Sequence, residues 1–259
     1  MKSIIIWFLI VTLFSCNDTK ETPDMPGTYL MQSQTLNDGT KDRRLTELKQ
    51  LKIYTDAFFM HTQVNPQDSV STLGVGSYTT GKGTVTENVI YRSSDTSIGK
   101  PQTYVLDVEK NQDGYKQFIP EIVIQGQKNK LTEEYQTVGT SAKTPLDGVW
   151  KETKSFVIKG KDTIPNNRTQ YKSYFAGYFM FGQTVKDSSS RNHTGIGFGT
   201  FEMKSDKQIM ETDLNSSYSI IAGHSFNVAI EMDGTDKYKQ TLTNADGTIG
   251  VEYYERMKK

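Results

Sequence analysis

Lys52-Ile53-Tyr54-Thr55-Asp56-Ala57-Phe58-Phe59-Met60 is written a second time as Lys172-Ser173-Tyr174-Phe175-Ala176-Gly177-Tyr178-Phe179-Met180. Each stretch is a pair of short apolar runs around a few turn residues, Thr55-Asp56 in the first, which is the pattern of a hairpin. The recurrence extends in both directions. Gly27-Thr28-Tyr29 returns as Gly148-Val149-Trp150, and Gly74-x-Gly76-x-Tyr78 as Gly197-x-Gly199-x-Phe201. Tyr115-Lys116-Gln117 returns as Tyr238-Lys239-Gln240, and Glu134-Tyr135 is matched to Glu252-Tyr253. A repeat of roughly 120 residues is a whole domain, far longer than a solenoid unit.

Beyond residue 26, apolar and polar side chains alternate in short runs and helical periodicity is almost absent, so strands dominate. The first copy reads as strands near 28–35, 46–54, 57–64, 72–80, 84–92, 102–109, 115–123 and 131–138. The second reads as strands near 150–158, 168–174, 178–185, 194–203, 207–213, 225–232, 237–243 and 248–257. Gly81-Lys82-Gly83, Asp113-Gly114, Gly160-Lys161-Asp162, Ser205-Asp206 and Asp246-Gly247 punctuate the runs, and connections this tight join antiparallel neighbours. Eight meandering strands leave exposed edges unless the sheet closes on itself. The expected fold is all-β: two consecutive eight-stranded antiparallel up-and-down barrels, over 27–140 and 141–259, after a signal peptide. One stretch stays ambiguous. Asp42 to Lys49 has Leu45 and Leu48 at helical spacing, and reads equally as a helical turn over a barrel mouth or as loop and strand start. The linker 139–147 is too short to give the barrels much independence.

Residues 1–15 have a chemistry of their own: Lys2 precedes an apolar run from Ile4 to Phe14, followed by Ser15 and Cys16. The run is short for a membrane span and gives way to Asn17-Asp18-Thr19-Lys20, which reads as a cleaved export signal. Leu13-Phe14-Ser15-Cys16 resembles a bacterial lipobox, with Phe14 where a small residue is usual. That resemblance implies lipidation at Cys16 and a flexible tether over 16–26. It also implies a partner in the bacterial membrane itself, the outer membrane foremost, with the protein periplasmic or surface-exposed. A plain secretory signal with an incidental cysteine is the alternative.

Cys16 is the chain's one cysteine, so disulfides and cysteine metal sites are excluded from the mature protein. Thirty basic and thirty acidic residues give no net charge, and no basic stripe points to nucleic acid. The three histidines, His61, His193 and His224, lie apart from one another, so neither a metal site nor a cofactor is expected. Nucleophile elbows and phosphate loops are missing from the sequence as well.

Gly148-Val149-Trp150 on the first strand of an eight-stranded meander resembles the lipocalin signature of glycine, any residue, tryptophan. Together with the repeated strand pattern, it makes the chain similar to tandem lipocalin-like domains of Bacteroidetes-type lipoproteins. The resemblance implies that Trp150 lies across a closed barrel end under Arg256 from the last strand, as structural closure. The first copy has Tyr29 for the tryptophan and Val138 at the position matched to Arg256.

Candidate ligand contacts come from strand parity. Val85, Glu87, Val89 and Tyr91 share one face, and Glu211 stands beside Ile209 in the same parity. If that face looks inward, each glutamate is desolvated and must pair with a tyrosine, a lysine or a ligand, or take up a proton. If it looks outward, both are solvated. Burial with hydrogen bonds for structure alone is the third alternative. Tyr54, Phe59, Tyr78 and Tyr91, with Tyr174, Phe179 and Phe201, are the expected barrel walls, as ligand contacts or as packed core. Three functions fit these readings. One is a lipoprotein binding a small apolar or amphipathic ligand, and another is a non-catalytic envelope lipoprotein with filled barrels and a protein partner. The third is a hydrolase or isomerase using a barrel carboxylate.

Overall fold

The computed structural model describes residues 21–65, 70–93, 101–124, 126–189 and 191–259; the stretch read as an export signal, and Cys16 with its expected lipidation, lie outside them. The first sheet contains β1 (Gly27–Asn37), β2 (Asp42–Leu45), β3 (Lys49–Tyr54), β4 (Phe58–Val64), β5 (Ser71–Gly81), β6 (Thr84–Arg92), β7 (Gln102–Lys110), β8 (Gly114–Ile124) and β9 (Gln127–Val138). The second contains β10 (Gly148–Lys159), β11 (Asp162–Pro165), β12 (Arg168–Phe175), β13 (Tyr178–Lys186), β14 (Asn192–Ser205), β15 (Gln208–Ser216), β16 (Ser225–Asp233), β17 (Lys237–Thr243) and β18 (Ile249–Arg256). β1 pairs with β9 and β10 with β18, so both sheets close as antiparallel barrels.

Each barrel has eight staves, because two short strands share one. β2 pairs with Gln34 to Asn37 and β3 with Gly27 to Leu30, both along the same edge of β1. The ambiguous stretch is therefore a strand with a break at 46–48, and the described residues include no helix. The long β1 leaves unpaired backbone groups unless something runs beside its far half, and the strand supplies them with partners.

Register corrects two matches between the copies. Trp150 sits opposite Arg256 and Tyr29 opposite Thr137, so Thr137, not Val138, holds the place of the arginine. The copies therefore align as Tyr135 with Tyr254 and Glu133 with Glu252, one residue away from the Glu134-Tyr135 and Glu252-Tyr253 pairing.

The closed ends are built alike. The Arg256 guanidinium lies 4.0 Å from the centre of the Trp150 ring, as expected of the cation–ring stack. Trp150 Nε1 donates to the Leu146 carbonyl at 2.7 Å, while Arg256 donates to the carbonyls of Asp147, Pro145 and Thr235. Tyr29 Oη donates to the Met25 carbonyl at 2.9 Å, four residues back as in the other copy, and Lys110 Nζ covers its ring from 6.0 Å. Leu146 and Met25 are both fully buried plugs. Residues 21–26, expected within a flexible tether, are thus laid across the first barrel's closed end, with Gly83 N donating to the Glu21 carbonyl.

The two barrels share a core. Leu51, Ile53, Met60, Leu73 and Val75 point out of the first barrel and pack on Tyr171, Met180, Ile196 and Phe198, which point out of the second. β3, β4 and β5 thereby face their own counterparts β12, β13 and β14, a quasi-two-fold packing of sheet on sheet. These strands are buried on both faces, and their outward side chains form the shared apolar core.

Candidate binding site

Inside each barrel three layers follow one another from the closed end to the open mouth. The first is aromatic: Tyr54, Phe59 and Tyr78 with Tyr29 and Tyr115 in one barrel, Tyr174, Phe179 and Phe201 with Trp150 and Tyr238 in the other. Edge-to-face contacts fix them, as in Tyr54 on Tyr78 and Tyr174 on Phe201, both with centroids 4.9 Å apart. Tyr91 is the exception among the expected walls. A bulge between Val75 and Gly76 puts an extra residue in β6 and turns Tyr91 outward, where its ring meets Tyr171 between the barrels at 5.1 Å.

The middle layer is polar and repeated. Both glutamates face inward, with Glu87 5% and Glu211 7% exposed. Lys52 meets Glu87 at 2.6 Å and Tyr54 Oη donates to the same carboxylate. Lys172 meets Glu211 at 2.7 Å and Tyr174 Oη donates to it at 2.5 Å. A second carboxylate stands behind each. Gln117 Nε2 donates to Glu133 at 2.5 Å, and Tyr135 Oη donates to it at 2.9 Å. Gln240 Nε2 and Tyr254 Oη each donate to Glu252 at 2.5 Å. Burial, and then the neighbouring carboxylates, push the Tyr54, Tyr135, Tyr174 and Tyr254 hydroxyls well above their ordinary range, so they stay protonated donors.

Sequence reading found the glutamates but missed their lysines. Gln50-x-Lys52-x-Tyr54 and Gln170-x-Lys172-x-Tyr174 place three polar side chains on the inward face of β3 and β12, and the repeat of that spacing is the signal. Desolvation of each ion is offset by opposite charge and several charge-assisted hydrogen bonds.

At the mouth the copies diverge. In the second barrel Arg168 bridges Glu152 at 2.9 Å and Glu252 at 2.5 Å, and these contacts hold Glu252 below the usual carboxylate range although burial opposes it. Asp213, two residues beyond Glu211 on the same face, is 3% exposed, and burial, with the Glu211 charge beside it, pushes its carboxyl up to about 7. By register the first barrel has Met31, Leu48 and Val89 where the second has Glu152, Arg168 and Asp213. His61 stands where the second barrel has Phe181. Burial, then Lys52 and Arg92, lower its imidazole to about 3, so it is neutral.

The inward face of β14 at this mouth is bare. Gly195 and Gly197 leave a track that other rings fill: a Cβ on Gly195 would lie 1.8 Å from Tyr218 Oη, and one on Gly197 would lie 2.3 Å from Phe181. Tyr218 comes from the 217–224 loop and accepts a hydrogen bond from Gln183 Nε2 at 2.5 Å. A groove of about 570 Å³, lined by Asp56, Phe58, Lys143 and Arg256 among others, lies outside both interiors. No protein-family model and no curated protein matches the chain.

Proposed function

We propose that the protein is an exported lipoprotein of the cell envelope whose lipocalin-like second barrel takes up a small amphipathic molecule at its mouth. The observation that carries this reading is the glycine track of Gly195 and Gly197, filled by Phe181 from β13 and, over Gly195, by the Tyr218 ring from a loop. A barrel of this size accommodates its own side chains or one small ligand, and a ring held by a loop is the part that can exchange with a ligand. The closed half, packed with rings and saturated ion pairs, serves as the floor. Native mass spectrometry of protein purified from its host tests this. A retained small molecule is expected, and Tyr218→Ala should raise its occupancy. Repeatedly empty protein, with or without Tyr218, refutes it.

The second reading is an interaction lipoprotein with filled barrels, and exposed apolar side chains favour it: Ile220 at 81% and Leu214 at 50% flank the same mouth. It predicts an envelope protein crosslinked through Ile220 and lost in Ile220→Ser. The anchor is tested apart from either reading, since Cys16→Ser should abolish lipid labelling and release the protein from membranes. Continued labelling of that variant would refute the anchor.

A further inference from the structure

Asp213 Oδ1 is buried and has no hydrogen-bond partner among the described residues, and the same holds for Gln183 Oε1. Native proteins rarely leave such acceptors unpaired, and a buried carboxylate without a donor is costly. The nearest interior cation does not serve it. Lys172 gives its three protons to Glu211 Oε1 at 2.7 Å, Glu211 Oε2 at 3.0 Å and Gln240 Oε1 at 3.2 Å. Arg168 is likewise held between Glu152 and Glu252.

The two lone acceptors flank the glycine track. Gln183 is the register partner of Gly195 on β13, and Asp213 reaches from β15 to within 2.7 Å of where a Gly197 Cβ would sit. The edge of the Phe181 ring shares that spot. A carboxylate oxygen beside an aromatic ring, with an amide oxygen on the other side of β14, is a set of acceptors with no donor between them. Across the mouth and middle layer of this barrel, Glu152, Glu211, Asp213 and Glu252 face Arg168 and Lys172, so two negative charges are left over. Barrel 1 has Val89 at the place of Asp213 and lacks this feature.

We infer that the second barrel's mouth is a site for a small molecule bearing a primary ammonium group, seated along the track of Gly195 and Gly197 within reach of Asp213. Three N–H donors supply Asp213 and Gln183 with charge-assisted hydrogen bonds. The organic part of the ligand replaces the Tyr218 ring. The loop carrying it is tied at both ends, by Ser217 N to the Ile196 carbonyl at 3.0 Å and Gly223 N to the Asp213 carbonyl at 2.7 Å, so Tyr218 can swing without the barrel opening. This rests on the proposed ligand-binding role of the barrel.

Calorimetric titration of the full chain at pH 8 with hexylammonium, hexanol and hexanoate separates the two ideas. Hexylammonium should bind at least about tenfold more tightly than hexanol, with hexanoate excluded. Asp213→Val, and Asp213→Asn as the size-preserving variant, should bring hexylammonium to within about twofold of hexanol. Equal binding of hexylammonium and hexanol to the unmodified protein overturns the ammonium site and leaves the pocket standing. Hexylammonium binding that both variants retain also overturns it. Binding of none of the three overturns both.

Discussion

Asp213→Asn should stabilise the protein at pH 8 and leave it unchanged at pH 4. The native carboxyl is pushed from 3.8 up to about 7. A folded value above the unfolded one means that the native state holds its proton longer, so stability falls as pH rises. Below about pH 4 the group is protonated in both states and exerts no effect. Between 4 and 7 the unfolded chain ionises first, and stability declines by up to ~1.4 kcal/mol per pH unit. Above 7 the full penalty is present, ~4 kcal/mol from the difference in proton affinity. Asparagine keeps the shape and cannot ionise. Urea unfolding of both proteins from pH 4 to pH 8.5 measures the difference, in which the other carboxylates cancel. The expected curve is flat near zero, rises across pH 4 to 7, and levels at ~4 kcal/mol in favour of the variant. A difference independent of pH would refute the assignment of a buried, unpaired carboxylate.

Lys172→Met strands Glu211 beside Asp213 and should cost ~3–5 kcal/mol in urea unfolding, most of it recovered in Lys172→Met/Glu211→Gln; a double variant as weak as the single one contradicts the pairing. Lys52→Met should cost less, because Val89 replaces the second acid there. Gly148→Ala puts a Cβ 2.2 Å from Arg256 Nη1 at a backbone φ of 149°. It should lose ~1–3 kcal/mol and weaken the near-ultraviolet signal of Trp150, and an unchanged signal argues against the stack as the seal. Calorimetry should show one unfolding transition for both barrels. Leu73→Asp should split it or expose the 139–147 linker to protease, at a loss of at least about 3 kcal/mol.

The strands, turns and closure were legible because alternation, tight connections and edge avoidance all lead to the same fold. The Trp150 to Arg256 stack followed from a resemblance and two residue types. Residues 42–45 were ambiguous because two leucines at helical spacing are also compatible with a broken strand. Their pairing is set by the length of β1, which local pattern does not show. The end-of-repeat match slipped by one because Glu133-Glu134 and Tyr253-Tyr254 are doublets, and only cross-strand register distinguishes their members. Tyr91 was placed by simple parity, and a bulge reversed it. Inward glutamates were anticipated as one of three alternatives. Asp213 was overlooked because its counterpart is valine, and a comparison of copies rewards what recurs. The apolar outer faces of β3, β4, β12 and β13 blended with the interior signal, so the shared core was not separable from two independent ones.

That shared core has a consequence for how the halves could specialise. In a homodimer of single barrels, any change at one mouth appears at the other, and assembly depends on concentration. Covalent linkage holds the two outer faces at an effective concentration on the order of millimolar, whatever the dilution. The pairing surfaces of β3 to β5 and β12 to β14 therefore stay packed together while each interior varies separately. One interior can keep Val89, Met31 and Leu48 and act as a rigid support. The other is then free to carry the unsatisfied charge of Asp213, because the stability it loses there is supplied by its neighbour.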